Sequence, residues 1–340
     1  MWMEGSTSGV YRMWFQHMDI NRIPFYQYNT IIVGTGAAGL NAAVTLHKLG
    51  QKNIALITEG RYMGTSRNTG SDKQTYYKMT QCGSEPDSVR KMAKTLFEGG
   101  CVDGDIAMAE AAGSLRAFYH LVDIGVPFPF NKSGEYVGYK TDHDPLKRGI
   151  SAGPLTSKYM TECLERQAEE RGIPFFDGYQ AVRLLTEEKD GEKRAAGIIA
   201  LNKQKAASPD ERYAVFSAVN IIWATGGEAG MYQASVYPVS QTGGMGVLLE
   251  AGAVAKNLTE SQFGIASVKY RWNLSGTFQQ CLPRYLSAEQ DGSHEREFLN
   301  DYFDTPRQLL TAIFLKGYQW PFDPRKVEGQ GSSLIDLLVY

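Results

Sequence analysis

The sequence predicts an α/β protein, a Rossmann-like domain carrying a small antiparallel meander. Three observations carry this. A short, fully apolar, β-branched run at 30–33 leads at once into the glycine motif G-T-G-A-A-G at 34–39. A second apolar run at 53–58 ends on Glu59. Between 180 and 216 lie three short strand patterns divided by polar turns, and a further apolar run at 220–223 enters Ala224-Thr225-Gly226-Gly227.

Each element follows from its residues. Residues 30–33 read as a buried parallel strand. Residues 40–49 read as a helix: Leu40, Ala43 and Val44 share a face, Lys48 suits the last turn and Gly50 is a stop. Residues 53–58 complete a compact βαβ unit. A polar, glycine-punctuated loop follows over 60–74. Val89, Met92 and Leu96 then define a helix started by Glu85-Pro86-Asp87, and a longer helix runs over 105–122 through Met108, Leu115 and Phe118. Residues 126–150 are irregular. Met160, Leu164 and Ala168 mark a helix over 155–171, closed by Gly172. Strands are expected at 180–185, 195–201 and 212–216, with a turn at Asp190-Gly191, and another at 220–223. Residues 243–255 look helical. Beyond about 265 the patterns weaken, up to a last apolar run at 332–340.

Composition narrows the function. The chain has 340 residues, 43% hydrophobic and 21% charged, enough for one large or two moderate domains. Its 35 basic and 37 acidic residues leave a net charge of -2, which argues against a nucleic-acid partner. Cys82, Cys101, Cys163 and Cys281 lie far apart without a C-x-x-C, so no zinc or iron–sulfur site is expected and a cytoplasmic setting is. Residues 1–27 lack an apolar signal core and read as an extension. The uncharged stretch 29–46 is marginal in length for a membrane span and contains Gly34, Gly36 and Gly39; no membrane span is expected.

The glycine motif carries the chemistry. Gly34 permits a tight turn out of the strand, Gly36 lets a pyrophosphate approach the backbone, and Gly39 lets helix and strand pack closely. The amides of residues such as Ala37 and Ala38 at the helix start then face the phosphates. Glu59 lies about 20 residues past the motif, where a carboxylate accepts hydrogen bonds from a ribose. This unit alone does not choose between NAD and FAD. The loop after the second strand, with Gly60, Thr65, Ser66, Asn68, Thr69 and Gly70, can line a diphosphate and a flavin edge or be an ordinary solvated loop. The turn Ala224-Thr225-Gly226-Gly227 brings backbone near a cofactor.

Taken in order, these residues resemble the flavoprotein subunits of succinate dehydrogenase and fumarate reductase, a family that includes L-aspartate oxidase and the adenylylsulfate reductase flavoprotein. The resemblance covers about 29–264. It rests on VGTGAAGL, the loop GTSRNTGS (64–71), the meander, IIWATGGEAGMY (221–232) and TGGMGVLLEAGAVAKNLTESQFG (242–264). It implies an FAD-binding domain over 28–264, the start of a capping domain over 265–340, and hydride or electron transfer with a small organic acid. Ala181 and Val182 complete the cofactor-binding set. The respiratory members attach flavin to a histidine in the loop after the second strand. No histidine lies between His47 and His120 here, so noncovalent FAD is expected. The family's T-G-D-G aspartate is Gly244, and its Q-F-H-P is Gln262-Phe263-Gly264-Ile265, which puts succinate or fumarate as substrate in doubt. No final glycine-rich segment follows, so the chain is expected to be the first part of a longer protein or one half of a split one. An electron-transfer partner, or the missing half on another chain, would complete it. The alternative function is an incomplete flavin-binding fragment.

Other candidates are weaker. Asp142-His143-Asp144 invites a metal reading, but no further His or Cys clusters with it, so no metal is expected. Arg148 is read as an anion-binding residue or a surface salt bridge. Arg284, in Leu282-Pro283-Arg284-Tyr285, is the candidate for orienting a substrate. His294 is expected in solvent, and Tyr76, Tyr77, Trp272 and Trp320 in packing. A disulfide-type or NAD-linked reductase is disfavoured by the absence of C-x-x-C and of a second G-x-G-x-x-G.

Overall fold

A computed structural model describes residues 23–70, 74–141, 144–227, 241, 243–260, 265–267, 272–273, 276–319 and 322–340. They fall into two compact units. The first takes its residues from 1–67, 164–227 and 243–253, and the second from 68–163, 228–242 and 254–340.

The chain enters the first unit through strand β1 (Phe25–Val33). It is longer than the apolar run at 30–33 because residues 25–28 alternate between exposed and half-buried, as a strand with one covered face does. Helix α1 (Ala37–Lys48) starts inside the glycine motif and buries Gly39, Leu40, Ala43 and Val44. Gly50 ends it with φ +98°, its N–H donating to the His47 carbonyl at 3.1 Å. Strand β2 (Ile54–Thr58) is buried throughout and pairs parallel with β1, Thr30 opposite Ile54 and Val33 opposite Ile57. A single helical turn follows, α2 (Thr65–Asn68).

The second unit opens with β3 (Tyr76–Tyr77). Helix α3 (Val89–Phe97) is capped by Ser88, whose hydroxyl accepts from the Lys91 N–H at 3.1 Å. Helix α4 (Gly104–Asp123) is capped by Asp103 and packs on α3 through Met92, Ala93, Ala107 and Ala111. Strand β4 (Gly149–Ile150) pairs antiparallel with β3. Tyr76 packs against Phe118 and Phe128, as expected, and burial pushes its hydroxyl up to about 12.

Arg148 corrects the sequence reading: it is neither on the surface nor open to a ligand. Its side chain is 1% exposed, and Nε and Nη2 donate to the two oxygens of Asp87 at 2.9 and 2.8 Å. Nη1 donates to Thr95 Oγ1 at 2.9 Å and to the Tyr77 hydroxyl at 3.2 Å, and lies 3.5 Å from Asp144. The pairing of β3 with β4 turns the residue inward, which a polar local sequence does not reveal. Asp87, read as part of a helix start, is its main partner. Burial by itself would raise the Asp87 carboxyl, but Arg148 and the N–H groups of Thr80 and Ser88 outweigh it and hold the carboxyl below its ordinary value. A carboxyl depressed on folding stabilises above its unfolded pKa of about 3.9, and that contribution is lost as pH falls through the folded value. Urea midpoints are therefore expected to fall between pH 5 and pH 3, and to fall less in Asp87→Asn. An equal fall in both proteins would remove Asp87 as the cause.

Helix α5 (Thr156–Glu170) leads back to the first unit, to which its residues from Leu164 onward belong. Strands β5 (Phe175–Asp177), β6 (Tyr179–Lys189), β7 (Glu192–Asn202) and β8 (Tyr213–Trp223) complete one six-stranded sheet in the order β5-β2-β1-β8-β7-β6. The β6–β7 hairpin turns at Asp190 and Gly191, with φ +56° and +79°, the left-handed pair such a hairpin favours. The strands expected at 212–216 and 220–223 are one strand, β8. Ser217, exposed Val219 and Asn220 break its apolar pattern, but β1 supplies a backbone ladder along it, from Phe25 opposite Val215 to Val33 opposite Trp223. The other edge of β8 pairs antiparallel with β7, so the meander and the parallel sheet are one structure. Ile31, Val33, Ile57, Ile198 and Phe216 form its core, with Tyr26 stacked on Phe216 at 5.0 Å.

Helix α6 (Met245–Glu250) is shorter than the predicted 243–255, because Gly252, at φ +95°, follows at once. In the second unit, α7 (Pro306–Lys316) and α8 (Leu334–Val339) bury Ala312, Ile313 and Ile335 with Leu299 and Phe303. The weak sequence patterns beyond 265 therefore do hide a local core.

Candidate functional site: the β1–α1 turn

The three glycines do three different things. Gly34 has φ +106°, and a Cβ there would sit 2.3 Å from the Ala224 carbonyl oxygen. It is required both by the turn and by the close approach of the end of β8. At Gly39 a Cβ would lie 2.0 Å from the Gly34 carbonyl oxygen, so helix and turn touch backbone to backbone. Gly36, with φ -75° and ψ -177°, is extended backbone that any residue adopts, and a Cβ there would meet only the Ser66 side chain, Oγ at 3.2 Å. The gap at Gly36 is therefore a cradle and not a strained bend.

This cradle suits an anion. The first amides of a helix have no intrahelical partner. Gly36 gives α1 no side-chain cap, and its first turn has no acidic residue. The Ala37 N–H donates to Ser66 Oγ at 3.2 Å, while Ala38 is exposed. The unquenched positive end of a twelve-residue helix thus meets a hydroxyl across a gap that only glycine leaves open.

Two contacts at the ends of the strands were not legible in the sequence. Thr35 Oγ1 donates to Thr58 Oγ1 at 2.9 Å, and Thr58 Oγ1 accepts from the Gly60 N–H at 3.3 Å, coupling the glycine turn to the end of β2. Glu59 is ion-paired with Lys203 at 2.7 Å. A carboxylate has about four acceptor positions, so this pair leaves capacity for ribose hydroxyls.

The other predicted residues are spread out. Thr65 and Ser66 are in the first unit, whereas Asn68, Thr69 and Gly70 belong to the second. Ala181 is partly buried on β6 opposite Ala200, and Val182 is exposed at a bulge in the same strand. Ala224, Thr225, Gly226 and Gly227 leave β8 directly beside Gly34. Thr225 Oγ1 and Trp223 Nε1 are buried there and have no hydrogen-bond partner among the described residues. A Cβ at Gly244, where φ is +149°, would lie 2.7 Å from that Thr225 oxygen and 3.0 Å from that Trp223 nitrogen. Only glycine fits, which explains the departure from T-G-D-G. Arg284, in the second unit, is exposed and paired with Glu297 at 2.5 Å. His294 is exposed and contacts Ser293. Residues 1–22, 71–73, 142–143, 228–232, 242, 261–264 and 320 and the Trp272 side chain, covered by the sequence reading, lie outside the described residues. No described helix is long and apolar enough to cross a membrane.

The arrangement fits a dinucleotide. The cradle at Gly36 and the uncapped helix start are both features a bound phosphate-bearing ligand would use. Comparison with known proteins agrees. L-aspartate oxidase of Agrobacterium fabrum is 28% identical over 242 residues, which are 69% of this chain and 42% of that protein. The succinate dehydrogenase flavoprotein subunit of Rickettsia conorii is 26% identical over 264 residues, 70% of this chain and 40% of that protein. The chain thus spans well under half of these relatives. Among solved structures, Escherichia coli quinol fumarate reductase FrdA shares the fold, with a TM-score of 0.65 at 19% identity over 88% of this chain and 52% of that one. The family model described as "FAD binding domain" matches residues 29–283, from the middle of β1 past the glycine turn and the whole six-stranded sheet. The chain belongs to this FAD-binding family, and its cofactor is FAD.

Proposed function

We propose that this chain holds FAD noncovalently at the β1–α1 turn and serves in an oxidoreductase acting on a small organic acid. The observation that carries the reading is the open gap at Gly36, between the uncapped start of α1 and Ser66. When bound, FAD supplies hydride or electron transfer. The residues supply binding and orientation. The α1 amides bind the diphosphate, and Glu59, with its charge partly balanced by Lys203, takes the ribose. Ser66 and the α2 turn close over the phosphates. The backbone of 224–227 borders the cofactor, with Ala181 and Val182 at its adenine end, and Asn68, Thr69 and Gly70 line the flavin side. The absence of histidine between His47 and His120 supports noncovalent attachment. Residues 265–340 are read as the start of a capping domain, where Arg284 orients an anionic substrate. A reduced, cytoplasmic setting suits four free thiols.

A second reading has a specific observation behind it. The chain covers only 42% of the aspartate oxidase it resembles. On this reading it binds flavin but needs an electron-transfer partner, or the rest of the flavoprotein on another chain, for turnover.

Purified protein is expected to be yellow, with the two visible bands of oxidised flavin, and to release its flavin on acid precipitation. Colourless protein that takes up no added FAD would overturn the assignment. Dye reduction measured with and without the product of the neighbouring reading frame separates a self-sufficient enzyme from one that needs a partner.

A further inference from the structure

The segment from the end of β2 into α2, residues 59–67, carries Ser66, yet nothing in its own sequence explains why it stays against α1. Its large apolar side chains, Tyr62 and Met63, are exposed, and Gly60, Gly64 and Ser66 add little packing. The loop is held instead by two arginines. Arg61 Nε donates to Glu165 Oε1 at 2.5 Å, and Arg67 donates to Glu165 Oε2. One carboxylate, on a residue only 8% exposed, therefore bridges both ends of the loop. Arg61 makes further contacts: its guanidinium also pairs with Glu169 and sits 4.1 Å from the centroid of the Phe175 ring, and its N–H donates to Asp177 Oδ1 at 2.8 Å. All of these groups lie in the first unit.

The two guanidiniums are mostly buried, with side chains 19% and 12% exposed. Two like charges brought this close stay together only while an anion lies between them. Arg67 is the residue next to Ser66, so the position of the Ser66 hydroxyl is set by where Arg67 is anchored. The anchor is on α5, nearly a hundred residues away in sequence. We infer that Glu165 is a positioning residue for cofactor binding: it clamps Arg61 and Arg67 so that Ser66 stands opposite the Gly36 cradle. The inference rests on the proposed FAD site and adds a residue that touches no part of the ligand.

The clamp makes the loop a preformed wall of the site. Without it, ordering the loop would be charged against the binding of FAD. Glu169 differs from Glu165: its side chain is half exposed and reaches Arg61 alone, so it contributes far less.

The test is FAD titration of the whole chain, followed by flavin fluorescence, with limited trypsin digestion of the ligand-free protein. Glu165→Gln is expected to weaken FAD binding by about 10–100-fold, by analogy with the loss of an outer partner at a metal site. Glu169→Gln is expected to stay within about twofold, as an exposed ion pair should. In Glu165→Gln, trypsin should cut after Arg61 or Arg67 several-fold faster, with cleavage at Arg194 in the β6–β7 hairpin unchanged. General destabilisation would speed both. FAD should suppress the new cuts. If Glu165→Gln does not fold, Arg67→Met, which removes one arm of the clamp, carries the same expectations for FAD binding and for cleavage after Arg61. Wild-type uptake with undiminished uptake by the variant, or unchanged cleavage at Arg61 and Arg67, overturns the clamp and leaves the FAD site standing. A wild-type chain that takes up no FAD overturns both.

Discussion

Gly36→Val is expected to lose FAD while keeping its fold. The backbone at this position is extended and open to any residue, so the substitution introduces no backbone strain. Its Cβ would face Ser66 Oγ at 3.2 Å, and the two methyl groups of valine project beyond that into the cradle. They cover the first amides of α1 and push Ser66 aside. Binding should weaken at least about 100-fold, equivalent to about 2.8 kcal/mol. The far-ultraviolet spectrum and melting temperature should stay close to wild type. Ala substitutions at Gly34 or Gly39 should behave differently, because there a Cβ collides with backbone carbonyl oxygens and the sheet itself must shift. Titration and melting of the variants check this. A Gly36→Val protein with near-normal FAD affinity would mean that the diphosphate lies elsewhere.

Arg148→Met is expected to destabilise the second unit by about 3–5 kcal/mol, the cost of leaving a buried charge without its partner. Asp87 and Asp144 would both remain inside, 0% and 4% exposed, facing a thioether. Tyr77, whose hydroxyl is raised by burial and by its bond to Asp144, would lose the cation that offsets both. Denaturant unfolding measures the loss directly. Adding Asp87→Leu to Arg148→Met should recover part of it, since removing both charges lifts the desolvation penalty that removing one creates. A loss below about 1 kcal/mol in the single variant would place Arg148 in contact with water.

The sequence showed the nucleotide-binding end of the fold more clearly than the rest for a physical reason. Gly34, Gly36 and Gly39 act over a few residues, through φ angles and backbone contacts that local sequence controls. The same holds for Asp190-Gly191 and for the spacing of Leu40, Ala43 and Val44. What stayed hidden depends on distant partners. Strand β5 is three residues long behind Pro174 and exists because β2 offers it an edge. Strand β8 runs through Ser217 and Asn220 because β1 pairs with it throughout. Glu59 looked like a free carboxylate, but Lys203 lies against it across 144 residues of sequence. Arg148 reads as an anion binder or a surface salt bridge because its partner Asp87 is 61 residues away. Arginines in a polar loop look alike whether they face water or Glu165, and only the fold separates the two.

The central place of β8 also bears on how the protein is made. Strand β1 is synthesised almost two hundred residues before β8 and soon has β2 on one side. Its other edge has no partner until Trp223 has been synthesised. During that interval a nascent chain displays an apolar strand with unpaired amides and carbonyls, the kind of surface that neighbouring polypeptides can join. Chaperone cover during translation, or slow expression at low temperature, would shield that edge until β8 arrives.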